Sequence, residues 1–426
     1  MPRISIVIPT HRGASRIGPT LAALASQTLP HGDFEVIVVL DGPDPATRQV
    51  IAAAQPPFTI TVVEQDHAGA AQARNRGAAA ARSPLLLFLD DDMSAVPGLL
   101  SAHLRSHERH PDGVVLGCFT QPRAGHRVDL LADGADAWWA DHFAQLALPS
   151  HRFSFRDFCT GNVSLPRERF VDAGGFSTEF KHAAGEDYEL GIRLLRLGVR
   201  FRFALDALSV HRYAASWAKS LERAREEGRG HVIIARLHPE VFPALSLRDA
   251  VEDGPVLKGD RPLRLTPLRL AAAPALLHAP LRMARALKLR RQWQKLQGAS
   301  RVCAYWEGAC QQAGSWSALQ SLVQDMPLVP IAHHEIEFDL ATGFDQLTPA
   351  LTAAAVDAIR LRYGPQPIGR IAPLAGAESL RTAHVRHALL GRLAPRFLAA
   401  RAPLDRGRHA QREHTLVEST ALGSAR

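Results

Sequence analysis

Three consecutive carboxylates, Asp90, Asp91 and Asp92, follow the apolar run Leu85–Leu89. An apolar run without polar alternation is typical of a strand that is buried on both faces of a parallel sheet. Adjacent carboxylates repel one another and are costly to bury unpaired, so they predict the end of that strand and a cation nearby. In open α/β sheets, ligands bind at the carboxyl ends of strands.

Asp90 and Asp92 are two residues apart, so both side chains can face one hard divalent ion. A Mg²⁺ or Mn²⁺ ion held by one or two carboxylates commonly completes its coordination with phosphate oxygens. The pattern therefore predicts a metal-dependent diphosphate site. The alternative is an acidic strand end that caps the following helix.

Strand-like and helix-like segments alternate over the first two hundred residues. Repeated alternation of this kind favours a parallel, doubly wound α/β sheet. The strand-like segments at its start end near Thr10, Asp41 and Asp90, so we expect these three residues along one edge. Those strand-like segments are Ile4–Ile8, Phe34–Leu40, Phe58–Val63 and Leu85–Leu89.

The basic charge of the chain is concentrated in one segment. The 426 residues carry a formal net charge of +8, and residues 256–301 hold eleven Lys or Arg against the single acid Asp260. Nothing in the sequence resembles a nucleic-acid module with aromatic stacking platforms. We therefore predict no nucleic-acid partner and an anionic membrane surface as the partner of residues 256–301.

The cysteines and the N-terminus bear on location. Cys118, Cys159, Cys303 and Cys310 form no CxxC pair, which argues against a disulfide framework and fits a reducing cytoplasm. Met1 is followed almost directly by a strand-like run rather than a signal-peptide core, and no stretch is long enough to span a bilayer. We expect a cytoplasmic protein, with a peripheral place on the inner face of the cytoplasmic membrane as the alternative.

A series of motifs follows the first strand in a set order. The succession resembles the family-2 type of nucleotide-sugar glycosyltransferases with the GT-A fold, over about residues 3–240. The resemblance implies a Rossmann-like, mostly parallel sheet flanked by helices, with a mainly helical C-terminal extension. It also implies inverting transfer of a sugar to an acceptor hydroxyl with Mn²⁺ or Mg²⁺ as cofactor. The motifs are SIVIPT, VIVVLDG, GAAQARNRG, LLFLDDDM, Gly161-Asn162, Gly174-Gly175-Phe176 and GEDYEL.

The resemblance assigns the nucleotide-binding residues by position. It implies that Asp41 contacts the base and that Pro9 and Thr10 line the same pocket. A carboxylate only accepts hydrogen bonds, which suits an N–H group of uracil or guanine. Arg74 and Asn75 match positions that hold base, ribose or phosphate. The alternative for Arg74 is a cation on a helix surface.

The resemblance also assigns the metal and sugar contacts. It implies that Asp90 lies near the ribose or the metal and that Asp92 is a metal ligand. Asp91 could replace either one after a one-residue shift in register. Asn162 belongs to the strand that passes under the donor sugar. His211 would complete the metal coordination, with a purely structural histidine as the alternative.

Glu186 and Asp187 lie at the start of a predicted helix. Acids at a helix N-terminus are electrostatically favourable, which alone could explain them. The resemblance implies that Asp187 is the base that accepts the proton of the attacking hydroxyl. Glu186 would then orient the acceptor or a loop.

The remainder of the chain is divided by composition. We predict a glycosyltransferase domain over 1–240, a basic amphipathic linker over 241–300, an accessory region over 301–400 and a disordered tail over 401–426. The linker is interrupted by Pro267, Pro274 and Pro280, which should break it into short pieces. Such a basic amphipathic segment favours the membrane interface.

The predicted donor is UDP-sugar rather than GDP- or dTDP-sugar, and the predicted acceptor is a carbohydrate or lipid-linked hydroxyl in cell-surface polysaccharide or glycoconjugate synthesis. One alternative is a nucleotidyltransferase, but the loop after the first strand, Pro9–Gly13, lacks the expected glycine-rich phosphate motif. The missing GxGxxG motif disfavours a dinucleotide-dependent oxidoreductase. A non-catalytic nucleotide-sugar-binding scaffold would not need the acids.

Overall fold

A computed structural model describes residues 1–121, 130–181, 184–212, 216–250, 256–257, 263–264 and 266–402. The chain forms two compact units, of which the first comprises Met1–Ala147, Phe153–Val329 and Ala375–Ala377. The second comprises Leu148–Arg152, Pro330–Leu374 and the chain from Glu378 onward. The predicted boundaries at residues 240, 300 and 400 stay predictions, and the predicted tail lies, from residue 403, outside the described residues.

Strands and helices alternate through the first unit, as the sequence predicts, and the elements of both units follow in chain order. The strands are β1 (Ile4–Thr10), β2 (Phe34–Asp41), β3 (Thr59–Gln65), β4 (Leu85–Leu89), β5 (Met93–Ala95), β6 (Val114–Thr120), β7 (Asn162–Pro166), β8 (Phe201–His211), β9 (Val256–Leu257), β10 (Leu263–Arg264), β11 (Glu335–Asp339), β12 (Ala358–Tyr363) and β13 (Gln366–Ile371). The helices are α1 (Ile17–Ala25), α2 (Pro45–Ala54), α3 (Ala70–Ala80), α4 (Leu99–Arg109), α5 (Leu130–Leu146), α6 (Arg167–Asp172), α7 (Glu186–Arg196), α8 (Trp217–Leu237), α9 (Pro267–Ala286), α10 (Arg290–Ala313), α11 (Trp316–Gln324), α12 (Leu347–Ala353) and α13 (Thr382–Leu390).

The main sheet, as far as the described residues show it, has the strand order β3-β2-β1-β4-β7-β6-β8-β5. Strand β1 pairs in parallel with both β2 and β4, and β2 pairs in parallel with β3. Every residue of β2 and of β4 is buried, as expected for apolar strands covered on both faces. The predicted α/β class is confirmed, and Thr10, Asp41 and Asp90 end neighbouring parallel strands at one edge.

The second half of the sheet is mixed rather than parallel. Strand β7 runs antiparallel to both β4 and β6, and β5 runs antiparallel to β8. An apolar run has no direction in the sequence, so the alternation of elements could not reveal this reversal. The reversal matters for the site because the β5–β8 pairing places Met93 opposite His211.

Helix α3 packs closely on β1 and β2 through Gly77. A Cβ atom at this position would lie 2.3 Å from Cγ1 of Val7 and 3.1 Å from Cγ2 of Val39. Glycine is therefore needed for the helix to approach the sheet at this distance. The close approach sets the position of Arg74, which lies one turn earlier on the same helix, relative to the edge of the sheet.

Helix α9 corrects one prediction. The sequence analysis expects prolines to break the segment, yet α9 runs without interruption from Pro267 to Ala286 and includes Pro274 and Pro280. An internal proline removes one hydrogen bond and can kink a helix without ending it, while Pro267 stands at the first residue, where proline is well tolerated. Among the described residues, no helix is both long enough and apolar enough to cross a membrane.

Helices α8 and α10 cross at two glycines. A Cβ at Gly228 would lie 2.0 Å from the carbonyl oxygen of Tyr305, and one at Gly308 would lie 2.0 Å from that of Arg225. The two backbones therefore touch without intervening side chains. This contact joins α8 to the later helices within the first unit.

The second unit contains a small sheet in which β12 pairs in parallel with β11 and antiparallel with β13. The apolar side chains of these strands pack with α12 and α13 around Leu347, Ile359 and Val385. This unit has its own apolar core.

Candidate active site

Asp91, the middle residue of the acid triplet, is buried and hydrogen-bonded within the protein. Its Oδ2 accepts a hydrogen bond from Oγ1 of Thr10 at 2.5 Å, and Nε and Nη2 of Arg16 donate to its two oxygens at 2.8 and 2.9 Å. Burial raises the pKa of Asp91 above its ordinary value, although Arg16 and Thr10 act in the opposite direction. Thr10 and Asp91 thus belong to a buried ion-pair network, and their predicted contact with a nucleotide stays a prediction.

Arg16 is a residue that the motif analysis missed. The three adjacent carboxylates predict a cation nearby, and Arg16 satisfies this requirement for the central one. The sequence does place Arg16 just before α1, which starts at Ile17 and follows the first strand, and this position was the sign that could have identified it. The reach of the long side chain to Asp91 could not be read from sequence spacing.

Asp90 and Asp92 lie on the open side of the same turn. Asp90 is about one-third exposed, with its side chain at 37% of full accessibility. Oδ2 of Asp92 lies 3.5 Å from Nε2 of His211, which is brought there by the pairing of β5 with β8. Burial opposes the ionisation of Asp92, but His211 and Arg16 outweigh it, and the pKa of Asp92 lies below its ordinary value.

Asp90, Asp92 and His211 are a chemically suitable donor set for a divalent cation. Carboxylate oxygens are preferred by Mg²⁺ and Mn²⁺, and an imidazole nitrogen suits several first-row metals. Asp92 is ionised by its surroundings, as a metal ligand must be. The ligand types proposed from the sequence therefore suit a metal, although the ligand atoms of Asp90, Asp92 and His211 do not all lie within 4.8 Å of one another.

Arg74 connects the acid triplet to the start of α7. Its Nη2 donates to Oδ1 of Asp90 at 2.9 Å, and its Nη1 donates to Oε1 of Glu186 at 3.0 Å. The guanidinium lies over the ring of Phe176, 5.6 Å from the ring centroid. Burial alone would lower the pKa of Arg74, but the two carboxylates raise it above its ordinary value. Arg74 is therefore a buried cation of the site and not a surface residue.

Asn75 binds the backbone of a neighbouring loop. Its Nδ2 donates to the carbonyl oxygen of Phe176, and its Oδ1 accepts from the Phe176 amide, both at 2.8 Å. The preceding Gly175 has a φ of 69°, and a Cβ there would lie 2.8 Å from Oδ1 of Asn75. Asn75 thus holds the loop that carries Phe176 beneath Arg74, and its predicted contact with the nucleotide stays a prediction.

Asp41 is buried at the end of β2 and is surrounded by donors. Oδ1 accepts from Nε2 of Gln65 and from the amide of Ala68, both at 2.8 Å, and Oδ2 accepts from the amide of Gly69 at 3.0 Å. Nδ1 of His67 lies 2.9 Å from Oδ2. Burial opposes ionisation, but these donors outweigh it and lower the pKa of Asp41. Asp41 is thus a fixed, ionised acceptor at the predicted base pocket.

Pro9 lies close to the predicted base pocket, whereas the side chain of Asn162 lies inside the sheet. Pro9 lies near the end of β1, opposite Val39 of β2. The Asn162 side chain is buried in the sheet, where its amide donates to the carbonyl oxygens of Cys118 and Ala207 at 3.1 and 2.9 Å, and its Oδ1 lies 2.9 Å from Nε2 of His103.

The residue before Asn162 faces the acids. A Cβ added to Gly161 would lie 3.2 Å from Oδ2 of Asp90. The glycine of the Gly161-Asn162 motif therefore leaves space beside the acid triplet, while the asparagine organises the strands behind it. Binding of the donor sugar by Asn162 stays a prediction.

Glu186 and Asp187 begin α7 directly after Gly185, whose φ of 100° turns the chain into the helix. Glu186 is held by Arg74, whereas Asp187 is buried with 9% of its surface exposed. Burial, together with repulsion by Glu186, raises the pKa of Asp187 to about 7. A carboxylate with a pKa near the working pH is well suited to accept and release a proton.

A cation on α8 also acts on Asp187. Arg223 lowers the pKa of Asp187, against the effects of burial and Glu186. Asp187 and Glu186 in turn raise the pKa of Arg223. This electrostatic effect joins residues of two helices that are separated along the chain, so no motif spacing in the sequence reveals it.

With this geometry in place, the chain can be compared with known proteins. Residues 5–170 match the family model described as "Glycosyl transferase family 2", and residues 142–215 match "N-terminal domain of galactosyltransferase". The N-terminal part of the chain is thus similar to glycosyl transferase family 2. The family match confirms the resemblance noted in the sequence, and the mixed eight-stranded sheet of the described residues is its GT-A fold.

Relatives of this protein include a validoxylamine A glucosyltransferase from Streptomyces hygroscopicus subsp. jinggangensis (strain 5008). It is 33% identical over 276 residues, covering 58% of this chain and 63% of the relative. A chondroitin synthase from Escherichia coli is 27% identical over 249 residues, covering 52% of this chain and 36% of that protein. The chain therefore spans less than two thirds of the length of either relative.

Solved structures similar to this protein include a mannosyltransferase, PcManGT, from Pyrobaculum calidifontis in complex with GDP-Man and Mn²⁺. Its TM-score is 0.49 at 21% identity, covering 73% of this chain and 88% of that chain. The structure of S. aureus TarS 1-349 in complex with UDP-GlcNAc has a TM-score of 0.44 at 17% identity, covering 74% of this chain and 93% of that chain.

The raised pKa of Asp187 predicts a pH-dependent contribution to stability. Its pKa is about 7 in the folded protein against an ordinary value of 3.8. A raised folded pKa gives stability that is complete below the unfolded pKa and is lost as the pH rises through the folded one. We expect Asp187→Asn to reduce the loss of unfolding free energy between about pH 5 and about pH 8, measured by urea denaturation.

The matched control is Asp112→Asn, because the Asp112 side chain is 77% exposed. It should leave the pH dependence of the wild-type protein unchanged. An Asp187→Asn variant that loses stability with pH as steeply as the wild type would contradict the burial-driven shift.

Proposed function

We propose that this protein transfers a sugar, with inversion, from a nucleotide-diphosphate sugar to an acceptor hydroxyl. The observation that carries the proposal is the bridge formed by Arg74 between Asp90 and Glu186. This bridge joins the acid cluster that is proposed to hold a cation to the helix start that holds Asp187. A diphosphate-binding group and a proton acceptor at one site are what such a transfer requires.

The ionised Asp41 is the proposed contact for the base. A carboxylate has about four acceptor positions; Gln65, Ala68 and Gly69 take three of them, and the fourth faces Nδ1 of the largely exposed His67. A base can therefore bind Asp41 only by displacing His67, which leaves room for one N–H and favours the single imide N–H of uracil or thymine over the two adjacent N–H groups of guanine. UDP-sugars are the first donors to test, followed by dTDP-sugars, which present the same imide N–H, and then by GDP-sugars.

Asp90, Asp92 and His211 are the residues proposed to hold Mn²⁺ or Mg²⁺. When bound, the cation would offset the negative charge of the diphosphate, both in the donor and in the leaving group. Arg74 adds a fixed positive charge at Asp90. Because the Arg74 guanidinium is buried and held by two carboxylates, it can stabilise the charge of the diphosphate without rearranging.

The proposed role of Asp187 is that of general base. The acceptor oxygen attacks the anomeric carbon from the face opposite the diphosphate and loses its proton to Asp187. The bond between that carbon and the diphosphate oxygen breaks, and its electron pair leaves with the nucleoside diphosphate. One displacement of this kind inverts the configuration. Glu186 acts as a positioning residue because Arg74 occupies its Oε1.

Nucleotide binding should depend on a divalent cation, because diphosphate and carboxylates repel each other without one. We expect UDP to raise the melting temperature only when Mn²⁺ or Mg²⁺ is present. Asp92→Ala should remove this coupling, while Asp206→Ala, whose side chain is 64% exposed, should retain it. The measurement is a thermal-shift titration, and equal stabilisation by UDP in EDTA would contradict the proposal.

Replacement of the proposed base should separate binding from transfer. Asp187→Asn keeps the shape of the side chain but removes the proton acceptor, so the transfer rate should fall roughly 100-fold or more. Mn²⁺-dependent UDP binding should be nearly unchanged. The measurement is release of UDP from a panel of UDP-sugars with acceptor sugars.

Glu186→Gln is the companion variant and should reduce transfer less. Near-normal transfer by Asp187→Asn together with a large loss in Glu186→Gln would reverse the two roles. Nucleotide binding by the wild type with no transfer from any donor would favour a sugar-nucleotide-binding scaffold instead.

The membrane proposal rests on two faces of α9. Ala273, Leu281 and Ala284 are buried, whereas Leu276, Met283 and Leu287 are 70%, 60% and 61% exposed. The exposed residues are spaced by seven and four positions, which places them on one side of a helix. We name Leu276, Met283 and Leu287 the exposed stripe.

Basic side chains flank the exposed stripe. This charge is complementary to anionic lipid, and an exposed apolar face bordered by cations is typical of a helix that lies in a membrane interface. We therefore propose that α9 docks on an anionic membrane, where a lipid-linked or cell-surface acceptor would be available. The exposed flanking residues are Arg282, Arg285, Lys288, Arg290 and Arg291.

The exposed stripe should be required for membrane binding. The variant with serine at all three positions should bind vesicles containing phosphatidylglycerol at least about tenfold more weakly, because burial of each apolar side chain contributes about 1.5–3 kcal/mol. Salt should also weaken binding. The measurement is cosedimentation, with neutral vesicles for comparison.

The control variant carries serine at Val171, Leu197 and Leu205, which are 62%, 51% and 63% exposed elsewhere in the first unit. It should bind like the wild type. Absence of binding to anionic vesicles at low salt would contradict the proposal. Self-association that is lost with the exposed stripe would instead identify a second copy of the chain as its partner.

A further inference from the structure

Two histidines and an aspartate converge beside the predicted base pocket. His11 follows β1, Asp41 ends β2 and His67 lies between β3 and α3. Each offers one ligand atom, and these three atoms all lie within 4.8 Å of one another. We propose that His11, Asp41 and His67 bind one transition-metal ion, such as Zn²⁺, at a site distinct from Asp90 and Asp92.

The spacing fits such an ion. Zn²⁺ binds nitrogen and oxygen ligands at about 2.0–2.2 Å, so ligands of a tetrahedral site lie roughly 3.3 Å apart. Oδ2 of Asp41 is 2.9 Å from Nδ1 of His67, and small side-chain rotations would reach the required separation. The two imidazole rings are 4.4 Å apart between centroids. Three protein ligands would leave the fourth position for water or an anion.

Neighbouring groups already orient the ligands. Gln65 and the amides of Ala68 and Gly69 hold the Asp41 carboxylate. Nδ1 of His11 lies 2.5 Å from the carbonyl oxygen of Asp41, which ties this ring to the end of β2. Outer hydrogen bonds of this kind orient metal ligands and strengthen binding.

The surroundings also give an ion access. The His67 side chain is 60% exposed, so an ion can enter from solvent. Gly42 has a φ of 101°, and a Cβ there would lie 3.4 Å from Cβ of His67. That distance is an ordinary contact, so it is the positive φ, and not lack of space, that favours glycine at this turn beside His67.

Ligand chemistry separates this site from the one at the acid triplet. Two imidazoles with one carboxylate favour Zn²⁺, Cu²⁺ or Ni²⁺, whereas Mg²⁺ prefers sites made mainly of oxygen ligands. A Mg²⁺-containing buffer should therefore leave the His11–Asp41–His67 site available. The protein would then respond to two classes of metal at two places on one edge of the sheet.

One consequence rests on the proposed function. Asp41 is the proposed contact for the donor base, so an ion bound to it should compete with UDP. Metal binding itself is independent of that assignment, because it is measured without nucleotide. The two ideas can therefore fail separately.

The experiment is calorimetric titration of the full chain with ZnCl₂ in Mg²⁺-containing buffer. We expect one site whose affinity falls at least about tenfold in His11→Ala and in His67→Ala. His110→Ala and His278→Ala, which replace exposed histidines elsewhere, should bind Zn²⁺ like the wild type. Both test histidines are exposed, so circular dichroism and melting without metal should match the wild type.

Equal Zn²⁺ affinity in the wild type and in His67→Ala would overturn the proposal, as would an equal loss in the control variants. A second titration adds UDP with Mn²⁺. Zn²⁺ binding that is intact but unaffected by UDP would leave the metal site standing and contradict the assignment of Asp41 to the base. Absence of Zn²⁺ binding together with Mn²⁺-dependent UDP binding would contradict the metal site and leave the assignment of Asp41 to the base standing.

Discussion

Repulsion between neighbouring carboxylates is the constraint on which the site depends. Asp90, Asp91 and Asp92 are adjacent, and none can be ionised at low cost without a compensating charge. The protein separates them by direction: Arg16 binds the central carboxylate on one side, and Arg74 binds Asp90 on the other. Asp92 is left facing an imidazole. The loop after β1, α3 and the end of β8 must therefore all meet at the end of β4.

Neighbouring carboxylates at the start of α7 are also compensated by an arginine. Arg74 shares its charge between Asp90 and Glu186, so the pair of acids at the helix start is neutralised unequally. Glu186 has the direct ion pair, while Asp187 experiences burial and the charge of its neighbour, and its pKa rises to about 7. One shared arginine thus leaves the two adjacent acids in different electrostatic surroundings.

Much of the fold and the place of the site can be predicted from the sequence, because strand periodicity and shared sheet edges are local or topological properties. Thr10, Asp41 and Asp90 are aligned for this reason. The directions of the side chains, in contrast, cannot be predicted from local sequence. Asn162 turns into the sheet and Asp91 turns to Arg16 because of partners that lie far away along the chain, which no spacing rule contains. The helical path through Pro274 and Pro280 likewise depends on packing that overrides local propensity.

The glycine crossing of α8 and α10 bears on how such proteins diverge. Gly228 and Gly308 each face a backbone carbonyl of the opposite helix at a distance that excludes any Cβ. Arg223, which acts on Asp187, lies little more than one turn before Gly228. A C-terminal segment exchanged between relatives near residue 240 would therefore need a glycine at the position of Gly308 in order to pack on α8. Without it, α8 would have to shift and would move Arg223 relative to the acids at the start of α7.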